Sequence, residues 1–85
     1  MTIDVYTLEN CPYCVKAKRL LKSLGHDYSE HDISSSFDET CQMLMDKFGL
    51  ANVSTAPQII INGHYVGGYD DLEKLLKSGK IKELI

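Results

Sequence analysis

Ile3-Asp4-Val5-Tyr6-Thr7-Leu8-Glu9-Asn10-Cys11-Pro12-Tyr13-Cys14 joins a strand pattern to a cysteine pair at the start of a helix. Over residues 2–7, Ile3 and Val5 fall on one side and Asp4 and Tyr6 on the other, the alternation of a half-buried strand. Pro12 suits a first helical position, where the N–H it lacks would have had no intrahelical partner. Behind it Cys14, Ala17, Leu21 and Leu24 recur at helical spacing, and Gly25 supplies a stop. The stretch predicts a strand, then a helix carrying the cysteine pair at its amino end.

Working outward, His26 to Ile33 reads as a second strand. Ser36-Phe37-Asp38-Glu39 fits a capping box. Phe37, Cys41, Leu44, Met45 and Phe48 then make one apolar stripe down a second helix that ends at Gly49. Ile59-Ile60-Ile61 is a buried-strand run, Asn62-Gly63 signals a hairpin turn, and Tyr65-Val66 begins the return strand. Gly67-Gly68 interrupts that strand. Asp70-Asp71-Leu72-Glu73 caps a last helix whose core face carries Leu72, Leu75 and Leu76. The tail with Ile81 and Leu84 is compatible with one more helical turn. The order is β-α-β-α-β-β-α, an α/β class with helices on both faces of a mixed sheet. No repeat, linker or low-complexity segment interrupts it.

A chain of 85 residues accommodates one domain, expected to span residues 1–85. Its 44% hydrophobic and 25% charged residues argue against a disordered tail or a fibrous rod. Nine basic against twelve acidic residues, a net charge of −3, disfavour a nucleic-acid partner. The run Met1-Thr2-Ile3-Asp4-Val5-Tyr6 has an acid where a secretory leader carries basic residues. No segment reaches the ~18 apolar residues of a membrane helix. The expectation is a cytoplasmic protein. Three cysteines are too few for a secreted disulfide scaffold, which leaves core residues, metal ligands or redox catalysts.

Cys11 and Cys14 are neighbours on a helix surface, close enough for a disulfide once the first turn adjusts. Unpaired amides and the positive end of the helix dipole favour thiolate over thiol at Cys11. The pKa of such a cysteine falls from about 8.5 into a range of roughly 3.5–7.5. Lys16, Lys18 and Arg19 add positive field. A CxxC can also supply two zinc ligands, but a zinc ribbon needs a second close pair. Only Cys41, His26, His31 and His64 remain, scattered along the chain, so redox chemistry is favoured and no metal site is assigned.

With these elements in place, the sequence resembles a dithiol glutaredoxin of the thioredoxin fold nearly end to end. The carriers are Cys11-Pro12-Tyr13-Cys14 after the first strand, Thr55-Ala56-Pro57-Gln58 before the third, and Gly67-Gly68-Tyr69-Asp70-Asp71-Leu72 before the last helix. The resemblance implies a four-stranded mixed sheet and a thiol–disulfide oxidoreductase that draws electrons from glutathione, with no bound cofactor. It makes Cys11 the nucleophile and Cys14 the resolving thiol. It implies a cis bond at Pro57, with Thr55, Ala56 and Pro57 lining a glutathione groove and Ala56 pairing with the cysteinyl backbone. Amides near Tyr69 and Asp70 then meet the γ-glutamyl carboxylate at the helix start, Gly67 and Gly68 let that backbone come close, and Asp71, in preference to Asp70, meets its ammonium. Tyr13 contacts glutathione.

Other residues receive plainer readings. Lys16, Lys18, Arg19 and Lys22 read as a solvated helix face, Cys41 as core, and the histidines are assigned nothing. Leu8 stands where many glutaredoxins carry Lys or Arg, followed by Glu9, and Asn52-Val53-Ser54 lacks an Arg often found there. Ala56 replaces the usual Val. Partners implied by the resemblance are glutathione and disulfide-containing or glutathionylated proteins, with ribonucleotide reductase one client of the family and a monomer expected. Two alternatives stay open: a redoxin recharged by a flavoprotein reductase, which Leu8 would suit, and an iron–sulfur carrier, against which Pro12 argues.

Overall fold

Ile59, Ile60 and Ile61 are all buried, in a central strand covered on both faces. The structure, a computed structural model, describes residues 2–84; Met1, part of the N-terminal run weighed above, lies outside them. In chain order the elements are β1 (Ile3–Thr7), α1 (Pro12–Ser23), β2 (Ser29–Asp32), α2 (Phe37–Phe48), β3 (Gln58–Ile61), β4 (His64–Gly67) and α3 (Tyr69–Ser78). A 3-10 helix over Lys80–Glu83 follows. The order is the one expected.

The four strands lie in the sequence β2-β1-β3-β4, with β1 parallel to β2 and antiparallel to β3, and β3 antiparallel to β4. The parallel pair needs a crossover, which α1 supplies; the antiparallel β3–β4 pair needs only a tight turn. That turn is Asn62-Gly63, where both residues take positive φ (50° and 79°) as a primed hairpin turn requires. Asn62 strengthens it by accepting the Thr2 amide at 2.7 Å and donating to the Leu84 carbonyl at 2.7 Å.

Alternation along β1 and β3 divides the core. Ile3, Val5, Ile59 and Ile61 face α1 and α3, where they meet Ala17, Leu21 and Leu72. Tyr6 and Ile60 face α2, against Cys41, Leu44, Phe37 and Phe48. Truncating a fully buried leucine such as Leu21 or Leu44 to alanine is expected to cost about 2–5 kcal/mol. β2 is an edge strand with exposed Ser29, Glu30 and Asp32, held by side chains: Glu30 accepts from Lys18 Nζ and Thr7 Oγ1, both at 2.9 Å.

Three local expectations are corrected. β2 is four residues rather than the full His26–Ile33 run, because β1 offers partners only from Asp4 to Thr7. Leu24 is 52% exposed instead of joining the apolar stripe, since at φ −97°, ψ 8° it has left the helix as its C-cap. Ser36 is the N-cap of α2, yet no capping box forms: its hydroxyl turns to Thr40 Oγ1, 3.3 Å away.

Candidate active site

The site begins where β1 ends. Asn10 takes φ +53°, which turns the chain so that Cys11, extended at φ −110°, ψ 99°, becomes the N-cap of α1. The Cys14 amide then donates to Cys11 Sγ at 3.2 Å, the bond a serine or aspartate oxygen would accept at this position. Cys11 and Cys14 are joined in a disulfide, Cα atoms 5.2 Å apart. They are not equivalent. Cys14 is 1% exposed and faces the core side of α1, whereas Cys11 is partly exposed. Of the pair, Cys11 is the more accessible residue.

The loop before β3 comes up beside this sulfur. The Ala56–Pro57 peptide is cis, as expected from the resemblance, and the Ala56 carbonyl oxygen lies 3.7 Å from Cys11 Sγ. Residues 52–58 and 68–71, together with Tyr13 and Tyr65, line an open groove of about 530 Å³. Among the expected site residues, Tyr13, Thr55, Ala56, Pro57, Gly68, Tyr69, Asp70 and Asp71 all border it. Tyr13, 56% exposed, tilts over Tyr69 with ring centroids 6.0 Å apart.

At the far side of the groove α3 begins with Gly68 as N-cap, so Asp70 and Asp71 occupy its first turn rather than preceding it. The Asp71 carboxylate turns back and accepts the Gly68 amide at 3.3 Å, which partly caps the helix. Gly67 is at φ +121°, and a Cβ there would fall 2.5 Å from Asp71 Oδ2. Gly67 is therefore the glycine the site requires. Gly68, in extended backbone, has room for a Cβ at 3.6 Å from the Pro57 carbonyl.

Among the described residues the only charged side chains bordering the groove are Asp70 and Asp71. Lys18 is held by Glu30, and Lys16 places its ammonium 5.1 Å from the Tyr13 ring centroid. Glu9 is exposed and its amide donates to Ser34 Oγ. Cys41 is 4% exposed inside the α2 cluster, and burial, with Asp38 nearby, pushes its thiol pKa up, as suits a core residue. His31 stacks on Tyr6 and pairs with Asp4 at 2.9 Å. No group of three His, Cys, Asp or Glu residues gathers as a metal site among the described residues.

Five groove residues, Asn52, Val53, Ser54, Gln58 and Tyr65, were not among the expected site residues, although Gln58 belongs to the Thr55-Ala56-Pro57-Gln58 motif. Gln58, 3% exposed, and Tyr65 both border the groove. The available signal was a glutamine opening an otherwise apolar strand run.

The Glutaredoxin family profile matches residues 3–66. The chain belongs to the glutaredoxin family. It is 43% identical over 84 residues to glutaredoxin 1 of Rickettsia prowazekii, covering 99% of this chain and 86% of that one. It is 35% identical over 83 residues to glutaredoxin 3 of Escherichia coli, covering 98% and 95%. Among solved structures it resembles the dithiolic glutaredoxin of Trypanosoma brucei brucei, with TM-score 0.79, 32% identity and coverage of 96% and 84%. The buckwheat glutaredoxin–glutathione complex is similar at TM-score 0.80, 25% identity and coverage of 96% and 74%. The thioredoxin-like glutaredoxin fold is thus established. Glutaredoxins are thiol–disulfide oxidoreductases that use glutathione as co-substrate, and Cys11 and Cys14 give this glutaredoxin its redox-active pair.

Proposed function

We propose that this glutaredoxin reduces protein disulfides and glutathione mixed disulfides at the expense of glutathione. The observation that carries the reading is the Cys11 sulfur: it accepts a helix-terminal amide and lies 3.7 Å from the carbonyl of Ala56, a residue of the groove that runs to the start of α3.

Cys11 thiolate attacks one sulfur of a substrate disulfide. The substrate S–S bond breaks, its second sulfur leaves as a thiolate and takes a proton, and a mixed disulfide forms on Cys11. Cys14, deprotonated, attacks Cys11 Sγ, which releases the reduced substrate and leaves the Cys11–Cys14 disulfide. One glutathione thiolate then attacks Cys11 and frees Cys14; a second attacks the glutathione sulfur and frees Cys11. Two glutathiones are oxidised to one glutathione disulfide while one protein disulfide becomes two thiols.

In this reading glutathione lies along the groove with its cysteinyl backbone beside Ala56, like an added strand. Thr55 and Pro57 shape the wall, and Tyr13 and Tyr69 cover the tripeptide. The γ-glutamyl carboxylate meets the amides near Tyr69 and Asp70, where the positive end of α3 favours an anion, and Gly68 lets that backbone come close. Asp71 meets the ammonium. One chain carries both sulfurs and the groove, so a monomer suffices, and the cycle requires a reducing compartment such as the cytoplasm.

The test is a coupled assay with glutathione, glutathione reductase and a small mixed-disulfide substrate. Turnover above the uncatalysed rate is expected, and its absence rejects the reading. The purely acidic charge of the groove favours a second reading, in which a flavoprotein reductase recharges the disulfide. Replacing glutathione and its reductase by such a flavoprotein separates the two.

A further inference from the structure

Gln58 is the first residue of β3, nine-tenths or more buried, and every polar atom of its side chain is used. Its Nε2 donates to the Thr55 carbonyl at 2.9 Å and lies 3.3 Å from Thr55 Oγ1. Its Oε1 accepts from the Tyr65 hydroxyl on β4. The direction of this chain follows from chemistry. A carbonyl only accepts, so the amide nitrogen must face Thr55 and the amide oxygen must face Tyr65, whose hydroxyl then donates. Tyr65 is itself fixed by packing on Phe48, ring centroids 5.6 Å apart.

The Thr55 carbonyl held by Gln58 stands one residue before Ala56, whose carbonyl lies beside the Cys11 sulfur. Loop 52–57 has no ladder of its own, since β3 pairing with β1 starts only at Gln58. We infer that Gln58, oriented by Tyr65, is a positioning residue that sets the Thr55-Ala56 edge at the height where a thiol peptide can lie against Cys11. It touches no reacting atom in this role; it acts through Thr55. This rests on the groove being the glutathione site, and it adds a determinant of how tightly that substrate is held.

The discriminating variant is Gln58→Glu. Ionised, the new carboxylate has no hydrogen for the Thr55 carbonyl and sets acceptor against acceptor; protonated, it donates as the amide did. Burial raises the pKa of such a carboxyl above the ordinary ~4.3, toward the range where activity is measured. Tyr6, across the β1–β3 pairing, and Tyr65 have hydroxyl pKa values pushed up by burial, so neither competes there. The other ionisable groups on these neighbours are His31, stacked on Tyr6, and Asp71, whose charge acts on Tyr65.

Steady-state kinetics with a glutathionylated peptide should show KM raised about tenfold in Gln58→Glu at pH 8, with kcat changed less than about twofold. The kcat/KM ratio of variant to wild type should climb about fivefold or more as pH falls to 5.5. Gln58→Leu should lose the same affinity at every pH, and Tyr65→Phe, which keeps the ring and removes the donor, should raise KM about two- to fivefold. An unchanged KM, or a Gln58→Glu ratio flat with pH, overturns the inference. Should Gln58→Glu fail to fold, a wild-type KM in Tyr65→Phe overturns it instead. The amide resonance of Ala56 gives a readout independent of glutathione: it should titrate in the Gln58→Glu protein and not in wild type. Wild-type protein inactive with glutathione while that resonance titrates would reject the proposed function and leave the positioning role standing.

Discussion

The Cys14 amide nitrogen lies 3.2 Å from the Cys11 sulfur, so the cysteine pair carries its own anion-stabilising donor across one helical turn. A sulfur in that position is expected to ionise before one held in apolar packing. After reduction, sub-stoichiometric alkylation near neutral pH should modify Cys11 first and leave Cys41, 4% exposed and with its thiol pKa raised, unlabelled. Peptide mapping by mass spectrometry checks this, and preferential labelling of Cys41 contradicts it.

Exposure divides the two sulfurs, and single substitutions should expose that division. Cys14→Ser is expected to keep activity on glutathionylated peptides within about threefold and lose about tenfold or more on protein disulfides. Cys11→Ser should lose both, by about 100-fold or more. Equal behaviour of the two variants would show that the roles are misassigned.

Gly67 is pinned by its backbone conformation, and a Cβ there would also push the Asp71 carboxylate aside. Gly67→Ala places a Cβ against Asp71 Oδ2 at φ +121° and should destabilise the fold by about 1–3 kcal/mol. Gly68→Ala, in ordinary extended backbone with an open Cβ direction, should cost less than about 1 kcal/mol. Urea denaturation midpoints compare them directly; equal losses would mean that the positive φ at Gly67 is not what constrains the turn.

Glu30 couples the β2 edge to pH. Hydrogen bonds from Lys18 and Thr7 hold its carboxyl below the ordinary glutamate value of about 4.3. A carboxylate depressed in the folded state contributes stability that is present above the unfolded pKa and disappears as pH falls through the lower folded value. Glu30→Gln should therefore be less stable than wild type at pH 7, with the gap closing below about pH 4. Chemical denaturation at a series of pH values measures it, and a gap that widens on acidification contradicts the assignment.

Leu8 gives the last test. A groove whose only charged side chains among the described residues are Asp70 and Asp71 offers no cation to the second carboxylate of a tripeptide such as glutathione. Leu8→Lys should lower KM for a glutathionylated substrate by about 1.5- to 5-fold, the range of an exposed ion pair, and the gain should shrink in high salt. No gain at low salt would mean that position 8 does not face the substrate.

Much of this architecture was legible along the chain. Alternation at Ile3-Val5, the stripe from Phe37 to Phe48, and Asn62-Gly63 each report a local period or turn, and the element order followed from them. Local cues failed at Leu24 and Ser36, where a helix end leaves the helical path or a hydroxyl finds a different neighbour. The Cys11-Pro12-Tyr13-Cys14 pair was visible for the same reason that helices are: its geometry is set within one turn.

Sequence alone thus determined the elements, their order and the sulfur chemistry, because each depends on residues a few positions apart. Tertiary structure decided the rest: that Ala56 meets Cys11 across 45 positions, that Gly67 rather than Gly68 must lack a side chain, and that Gln58 spans from Tyr65 to Thr55. Those relations arise where strands and loops distant in the chain are pressed together by the packing of Ile59, Ile60 and Ile61, and no local pattern encodes which side chains will then face each other.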